Sequence, residues 1–351
     1  MNPLYQEDLE RCLDSVVNLE RLKGKTLLIT GATGMIGRFL IDALMLANKM
    51  RDLDCMVFAI GRNEDKAKKR FISHWMNEKF TFIQHDVKVP LSMELGNIDF
   101  VIHAASATHP LAYAQEPIET ITANVYGTYN LLSFICQQTP SARFVLASSV
   151  EVYGQNRGDT KYFSENYCGN IDCNTLRAGY PESKRICESM CQAFLREKDI
   201  KYVSARLPRT YGPTMLMEDS KALSQFIKKG INGEDIVLKS DGSQLFSYLH
   251  VADSVSGLLS VMLAGNEGEA YNISYELSDI TLKELAQFIA KLSSVSLEFQ
   301  IPDQIEQSGY SVASLALMDS SKLKSIGWKP RYSIEEGIRR TLSCIKSSLT
   351  D

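Results

Sequence analysis

A short apolar run, Thr26 to Thr30, stops at Gly31-Ala32-Thr33-Gly34-Met35-Ile36-Gly37 and passes straight into an apolar stretch of helical spacing, residues 36–46. That succession leaves the chain few choices. The run reads as a buried strand, and the glycines turn the chain at its carboxyl end. Gly31 permits the tight turn, Gly34 removes a side chain before the helix, and Gly37 lets the helix lie close on a sheet. The helix N-terminus brings free N–H groups and a favourable dipole to the same point. A tight turn without a ligand would use the same glycines in their GxxGxxG spacing. Their place between strand and helix favours a floor for the pyrophosphate of a dinucleotide. The candidate contacts are Gly31, Thr33, Gly34, Met35, Ile36 and Gly37.

The next two hundred residues repeat the alternation. Short apolar runs at 56–60, 80–84, 100–103, 144–147 and 202–206 read as strands, and 119–136 and 180–197 as long helices. This predicts an α/β fold, a Rossmann-type doubly wound parallel sheet with right-handed crossovers. Its ligand belongs outside the carboxyl ends of the strands. After Arg206 the pattern changes. Tyr211-Gly212-Pro213 is a stop, with helices expected at 221–229, 281–292 and 334–344, a strand at 235–238, and a strand and helix around 248–263. Residues 22–207 are assigned to the dinucleotide-binding domain, with 242–272 returning to it. Residues 208–241 and 273–349 form a smaller mixed α/β substrate domain. Residues 1–21 are an amphipathic helical extension outside the main fold, read as a packing arm.

Composition narrows the partners. Net charge is −4 over 351 residues, with no long basic block, which argues against nucleic acid or an anionic membrane as the main partner. The apolar stretch 39–47 is broken by Asp42 and is too short to span a bilayer. The eight cysteines form no CxxC pair. Cys187 and Cys191 share a helix face but have no completing histidine or second pair, so no metal is expected. Free thiols in a reducing cytoplasm are the expectation.

A second motif supplies chemistry. Tyr180-Pro181-Glu182-Ser183-Lys184 places a phenol and an ammonium one helical turn apart. A phenol with its ordinary pKa near 10 is a poor base, but a nearby ammonium and a nicotinamide's positive charge both favour the phenolate. Tyr180 can then take a hydroxyl proton as hydride leaves carbon. Lys184 is also assigned to the nicotinamide ribose. Ser149 ends a strand and can donate to the same substrate oxygen. Glu151, two residues on, is placed to move a proton beside a new ketone, or else is an ordinary loop acid. His103 reads as packed, His109 as a pocket residue, and His250 shows no partner. The second strand ends in Ile60-Gly61-Arg62-Asn63 with no acid for a ribose. Arg62 either pairs with a 2′-phosphate, which favours NADP, or stacks on adenine. Asp86 and Val87 follow the third strand and are placed to meet the adenine, or else Asp86 is an ordinary turn aspartate.

With these residues in hand, the chain resembles the extended short-chain dehydrogenases/reductases, in their nucleotide-sugar epimerase, dehydratase and decarboxylase branch, from about residue 23 to 341. The likeness rests on the glycine turn, His103-Ala104-Ala105-Ser106, Asn124-Val125-Tyr126-Gly127-Thr128, residues 148–154, the Tyr180–Lys184 motif, Tyr211-Gly212-Pro213, Asp241-Gly242-Ser243-Gln244 and residues 321–330. It implies NAD ahead of NADP, with Ala104, Ala105 and Asn124 among the cofactor contacts. It implies a nucleotide-diphosphate-sugar substrate touched by Ser106, His109, Arg209, Gln244 and Phe246. It also implies oxidation at the sugar C4, with Tyr180 as base, Ser149 polarising the oxygen and Lys184 serving ribose and phenolate. A homodimer through helices 119–136 and 180–197 follows from the same resemblance.

The second step separates the branch. Dehydratases carry an Asp-Glu pair after the hydroxyl residue, whereas here Val150 precedes Glu151. UDP-glucuronate decarboxylases carry a glutamate at that position, and Glu116-Pro117-Ile118-Glu119-Thr120 also resembles them. A 4-keto uronic acid is a β-keto acid and loses carbon dioxide with little extra machinery. Decarboxylation of UDP-glucuronate is therefore the leading expectation, with 4-epimerisation, 4,6-dehydration and a non-catalytic dinucleotide sensor as alternatives. Two departures stand out. A basic residue usually stands where Phe246 is, and an asparagine where Arg209 is.

Overall fold

The computed structural model describes residues 1–106, 108, 110–300 and 313–350. Its elements begin with α1 (Pro3–Asp14), β1 (Thr26–Thr30), α2 (Met35–Arg51), β2 (Met56–Gly61), α3 (Glu64–Arg70), β3 (Phe80–Gln84) and β4 (Phe100–His103). They continue with α4 (Pro110–Gln115), α5 (Pro117–Gln138), β5 (Arg143–Ser149), β6 (Tyr162–Phe163), α6 (Gly179–Lys198), β7 (Tyr202–Leu207) and β8 (Arg209–Tyr211). Next are α7 (Ala222–Asn232), β9 (Ile236–Leu238), β10 (Leu245–His250), α8 (Val251–Ala264), β11 (Ala270–Asn272), β12 (Asp279–Thr281) and α9 (Leu282–Ser293). The last are β13 (Leu297–Phe299), β14 (Leu315–Met318), α10 (Ser321–Ser325) and α11 (Ile334–Thr350).

Seven parallel strands make the main sheet in the order β11-β7-β5-β4-β1-β2-β3. The connections run outwards from β1 and β4, whose carboxyl ends leave a crevice between them. Side chains alternate across the sheet. Leu27 and Ile29 of β1, with Val145 of β5, join the core built by α1, α2 and α8. Leu28, Phe144 and Leu146 join the opposite core, under α5 and α6. Both faces are dry, which is why the strands read as near-continuous apolar runs. This is the Rossmann-type doubly wound sheet expected from the sequence.

The smaller mixed α/β region has a second sheet, β12-β10-β14-β6, with β8 beside β10, and a separate β13-β9 pair. Leu285, Ile289, Phe226 and Ile338 of its helices close a third core. Among the described residues no helix is long and apolar enough to cross a membrane.

The N-terminal helix differs from expectation. It does not lie outside the fold. Leu9, Cys12 and Leu13 are buried in the same core as Phe39 and Leu258. Asn2 caps it, its side chain accepting from the Leu4 and Tyr5 N–H groups, and Pro3 starts it. Its buried Asp8 accepts from the Tyr332 hydroxyl at 2.8 Å and Arg340 Nε at 2.6 Å, so α1 is tied to the C-terminal segment as well. Cys187 and Cys191 are buried in the packing of α6.

Candidate active site

The glycine turn is built by close backbone packing. Gly31 has φ +70°, and a Cβ there would lie 2.5 Å from the Ala104 carbonyl oxygen. The loops after β1 and β4 are thus in contact, and the Ala105 N–H donates to Thr30 Oγ1 at 3.3 Å. A Cβ on Gly37 would come within 2.3 Å of the Gly31 oxygen, whereas one on Gly34 would meet that oxygen at 3.2 Å. Gly31 and Gly37 therefore serve packing, and Gly34 keeps open the space before α2. That helix starts at Met35 with no side chain capping its first N–H groups. Met35 and Ile36, both partly buried, pack against the main core behind the turn, and Thr33 faces Gly61 across it. A cradle with backbone donors and no Cβ in front fits the pyrophosphate of NAD.

At the end of β2, Arg62 is largely exposed and pairs with Glu119 of α5 at 3.0 Å. Lys88 holds the other oxygen of Glu119 at 2.6 Å. Asp86 accepts from the Lys88 N–H at 2.9 Å, a turn contact. Val87 is buried against α5, and its carbonyl accepts from Asn130 Nδ2 at 2.9 Å.

Ser149, Tyr180 and Lys184 come together at the carboxyl end of β5 and the start of α6. All three are buried. Ser149 caps the turn after β5, its hydroxyl accepting from the Glu151 N–H at 3.2 Å, and it lies near enough to Tyr180 to favour the phenolate. The electrostatics depart from expectation. Burial pushes the Tyr180 phenol up to about 12, the Ser149 hydroxyl opposes that, and the Glu151 charge adds to it. Lys184 is not among the main influences on the phenol. Its ammonium donates to the Ala147 carbonyl at 2.9 Å and stands 6.0 Å from the centre of the Tyr180 ring. Burial also weakens the hold of Lys184 on its own proton. Desolvation outweighs a cation that is itself desolvated and turned to a carbonyl.

Asn124 lies behind this cluster. It donates to Ser183 Oγ at 2.8 Å and locks α5 to α6, while its buried Oδ1 has no partner among the described residues. His103 is buried against Thr30 Oγ1 at 2.8 Å, and burial, then Lys184, pull its pKa down to about 3. It is a neutral packing group. His250 has a partner after all: its Nδ1 accepts from the Ala252 N–H at 3.4 Å, capping α8.

Two side chains absent from the sequence-based list complete the pocket. Tyr113 of α4 stacks on Tyr180 with ring centres 4.8 Å apart. The Arg177 guanidinium lies 4.7 Å from the Tyr113 ring centre and pairs with Glu151 at 2.8 Å. Arg177 sits three residues before Tyr180, a spacing that hints at a shared face. Nothing around Tyr113 marks it. Among the expected substrate residues, Ser106 is half-buried just past β4. His109 lies outside the described residues. Gln244 accepts from Ser240 Oγ at 3.4 Å. Phe246 is buried, and the Arg209 guanidinium lies flat over it, 3.5 Å from the ring centre. Among the described residues no group of His, Cys, Asp and Glu is placed to hold a metal ion.

Comparison with known proteins agrees with this geometry. The profile of the NAD dependent epimerase/dehydratase family matches residues 27–274. UDP-glucuronic acid decarboxylase 1 of Danio rerio is 32% identical over 93% of this chain and 73% of its own. UDP-glucuronic acid decarboxylase 3 of Arabidopsis thaliana is 32% identical over 89% and 86%. Among solved structures, a dTDP-glucose 4,6-dehydratase from Streptomyces venezuelae superposes with a TM-score of 0.79 at 22% identity, covering 93% of this chain and 98% of that one. A UDP-glucuronic acid 4-epimerase from Bacillus cereus gives 0.77 at 21%, over 92% and 99%. These structures establish the fold. Cradle, buried serine, tyrosine and lysine, and sequence relatives agree that the chain belongs to the NAD-dependent epimerase/dehydratase family of extended short-chain dehydrogenases/reductases, and is an NAD-dependent enzyme of nucleotide sugars.

Proposed function

We propose that the enzyme decarboxylates UDP-glucuronate after oxidising the sugar at C4. One observation carries the reading. Glu151 lies beside the Ser149–Tyr180 pair, while Val150, where a dehydratase would keep its acid, is apolar and buried. The two relatives named above, both UDP-glucuronic acid decarboxylases, support it. When bound, NAD would accept the hydride from C4 and return it to C4 once carbon dioxide has left, so that the cofactor is regenerated. Ser149 orients the C4 hydroxyl, and Tyr180 takes its proton. The resulting ketone is the sink for the electron pair left at C5 as carbon dioxide departs. Hydroxyls of Ser149 and Tyr180 stabilise the negative oxygen, and Glu151 relays to C5 a proton drawn from solvent, which replaces the departed carboxyl group. Mass analysis of the product from UDP-glucuronate tests the reading.

Replacing Glu151 by Gln should lower kcat about 100-fold with bound NAD unchanged. Steady-state rates on UDP-glucuronate check this, and an intact rate removes Glu151 from the chemistry.

The proposal includes a homodimer. Ile118, Ile121, Tyr126, Tyr129 and Ile186 leave an apolar face exposed on α5 and α6. A groove of about 390 Å³ bordered by Ile121, Val125 and Ile186 runs between the helices. Such a face on an isolated chain is an association surface. Sedimentation should give a dimer for the native chain and a monomer for the double variant Ile121→Asp, Ile186→Asp. A native monomer overturns this part.

A further inference from the structure

We infer that Arg209 is a specificity-determining residue that binds the acidic group of the sugar. This rests on the proposed reading of a uronic acid substrate and names the group that would select it.

Two guanidiniums, Arg177 and Arg209, face the single carboxylate of Glu151, at 2.8 Å and 3.9 Å. Arg177 is engaged: it makes the short pair and covers Tyr113. Arg209 makes only the long contact, and among the described residues no other carboxylate lies within ion-pair distance of it. Among the described residues its buried Nη1 has no hydrogen-bond partner, nor do Nε and Nη1 of Arg177. Among the described residues the cluster thus carries one positive charge in excess, and an uncompensated buried charge is costly. Burial works against the protonated form of Arg209, so its surroundings as they stand do not compensate it.

The side chain is nevertheless held in place. Phe246 of β10 supports its flat face, and β8 pairs with β10 through Arg209 and Tyr248. A stacked guanidinium has its edge N–H groups free for a planar anion. A cavity of only about 10 Å³ adjoins it, lined by Val150, Glu151, Gly154, Arg209, Ala313 and Ala316, so a bound carboxylate would have to open it further. That cavity lies beside Glu151, two residues from Ser149 at the reacting hydroxyl, and its other walls are apolar. In this reading the carboxylate on the carbon next to the reacting one enters beside Glu151 and meets Arg209. It would also be repelled by Glu151 if Arg177 did not neutralise that residue.

Binding of three probes to the NAD-loaded enzyme tests this: UDP-glucuronate, UDP-glucose and UDP. For Arg209→Gln, the Kd for UDP-glucuronate should rise about 30-fold, the loss of one charge-assisted hydrogen bond. Those for UDP-glucose and UDP should stay within about twofold, because neither carries the carboxylate that Arg209 would bond. Arg209→Lys keeps the charge without the planar fork. It should give a smaller loss confined to UDP-glucuronate, and carries the test if the glutamine variant does not fold. Equal losses for all three would place Arg209 on the diphosphate, and no loss for any would deny it a ligand; either overturns the inference. An enzyme that prefers UDP-glucuronate through Arg209 but releases no carbon dioxide sinks the decarboxylase reading alone. One that decarboxylates as well with Gln at 209 sinks this inference alone.

Discussion

Tyr180→Phe should cut turnover by about 10³-fold while bound NAD and melting temperature stay unchanged. The ring is what packs: it stacks on Tyr113, and phenylalanine keeps that contact. What is lost is the hydroxyl that meets Ser149 and takes the substrate proton. KM should therefore move little, and the loss should fall on kcat. The pH profile adds a signature. Burial pushes the phenol up and a bound nicotinamide's positive charge would pull it down, and in either case the phenolate fraction grows as pH rises. The native rate should climb with pH, and the residual rate of the phenylalanine variant should not. A variant as active as the native enzyme would remove Tyr180 from the chemistry.

Gly31→Ala should be the most damaging change in the cradle. The left-handed backbone at φ +70° strains any L side chain, and the new methyl would overlap the Ala104 carbonyl at 2.5 Å. Both partners are backbone and cannot rotate away. A loss of about 3 kcal/mol or more is expected, with little NAD retained. Gly34→Ala is the useful contrast. Its methyl would meet the Gly31 oxygen at 3.2 Å without a left-handed backbone, so the protein should fold. NAD affinity alone should fall, because the methyl fills the space before α2. Thermal melts and NAD content of the two variants check this, and equal behaviour would contradict the division of roles between the glycines.

The main sheet was legible because its strands are buried on both faces and bounded by turns. The strands 80–84 and 100–103 fall where the apolar runs end. The second sheet was not. Strand β6 has 2 residues, β8 has 3 and β14 has 4, too few to show a period of two. Tyr211-Gly212-Pro213 reads as a stop, yet Tyr211 closes a strand whose partner lies almost forty residues further on. The site was half legible. Ser149, Tyr180 and Lys184 could be placed because each follows a strand or starts a long helix. The direction of the Tyr180 shift could not, because spacing puts Lys184 on the same face without showing that its ammonium turns to Ala147. Tyr113 was invisible because its role depends on how α4 folds over α6. The Arg209–Phe246 contact joins, across adjacent strands, two residues that stood out separately in the sequence.

The most direct test is the product formed from UDP-glucuronate by the purified, NAD-loaded enzyme, identified by mass and by its sugar stereochemistry. The expected product is a nucleotide sugar lighter by one carbon dioxide, absent when Tyr180→Phe replaces the native chain. A product of unchanged mass with inverted C4, or one lighter by water, would contradict decarboxylation and assign the enzyme to another branch of its family.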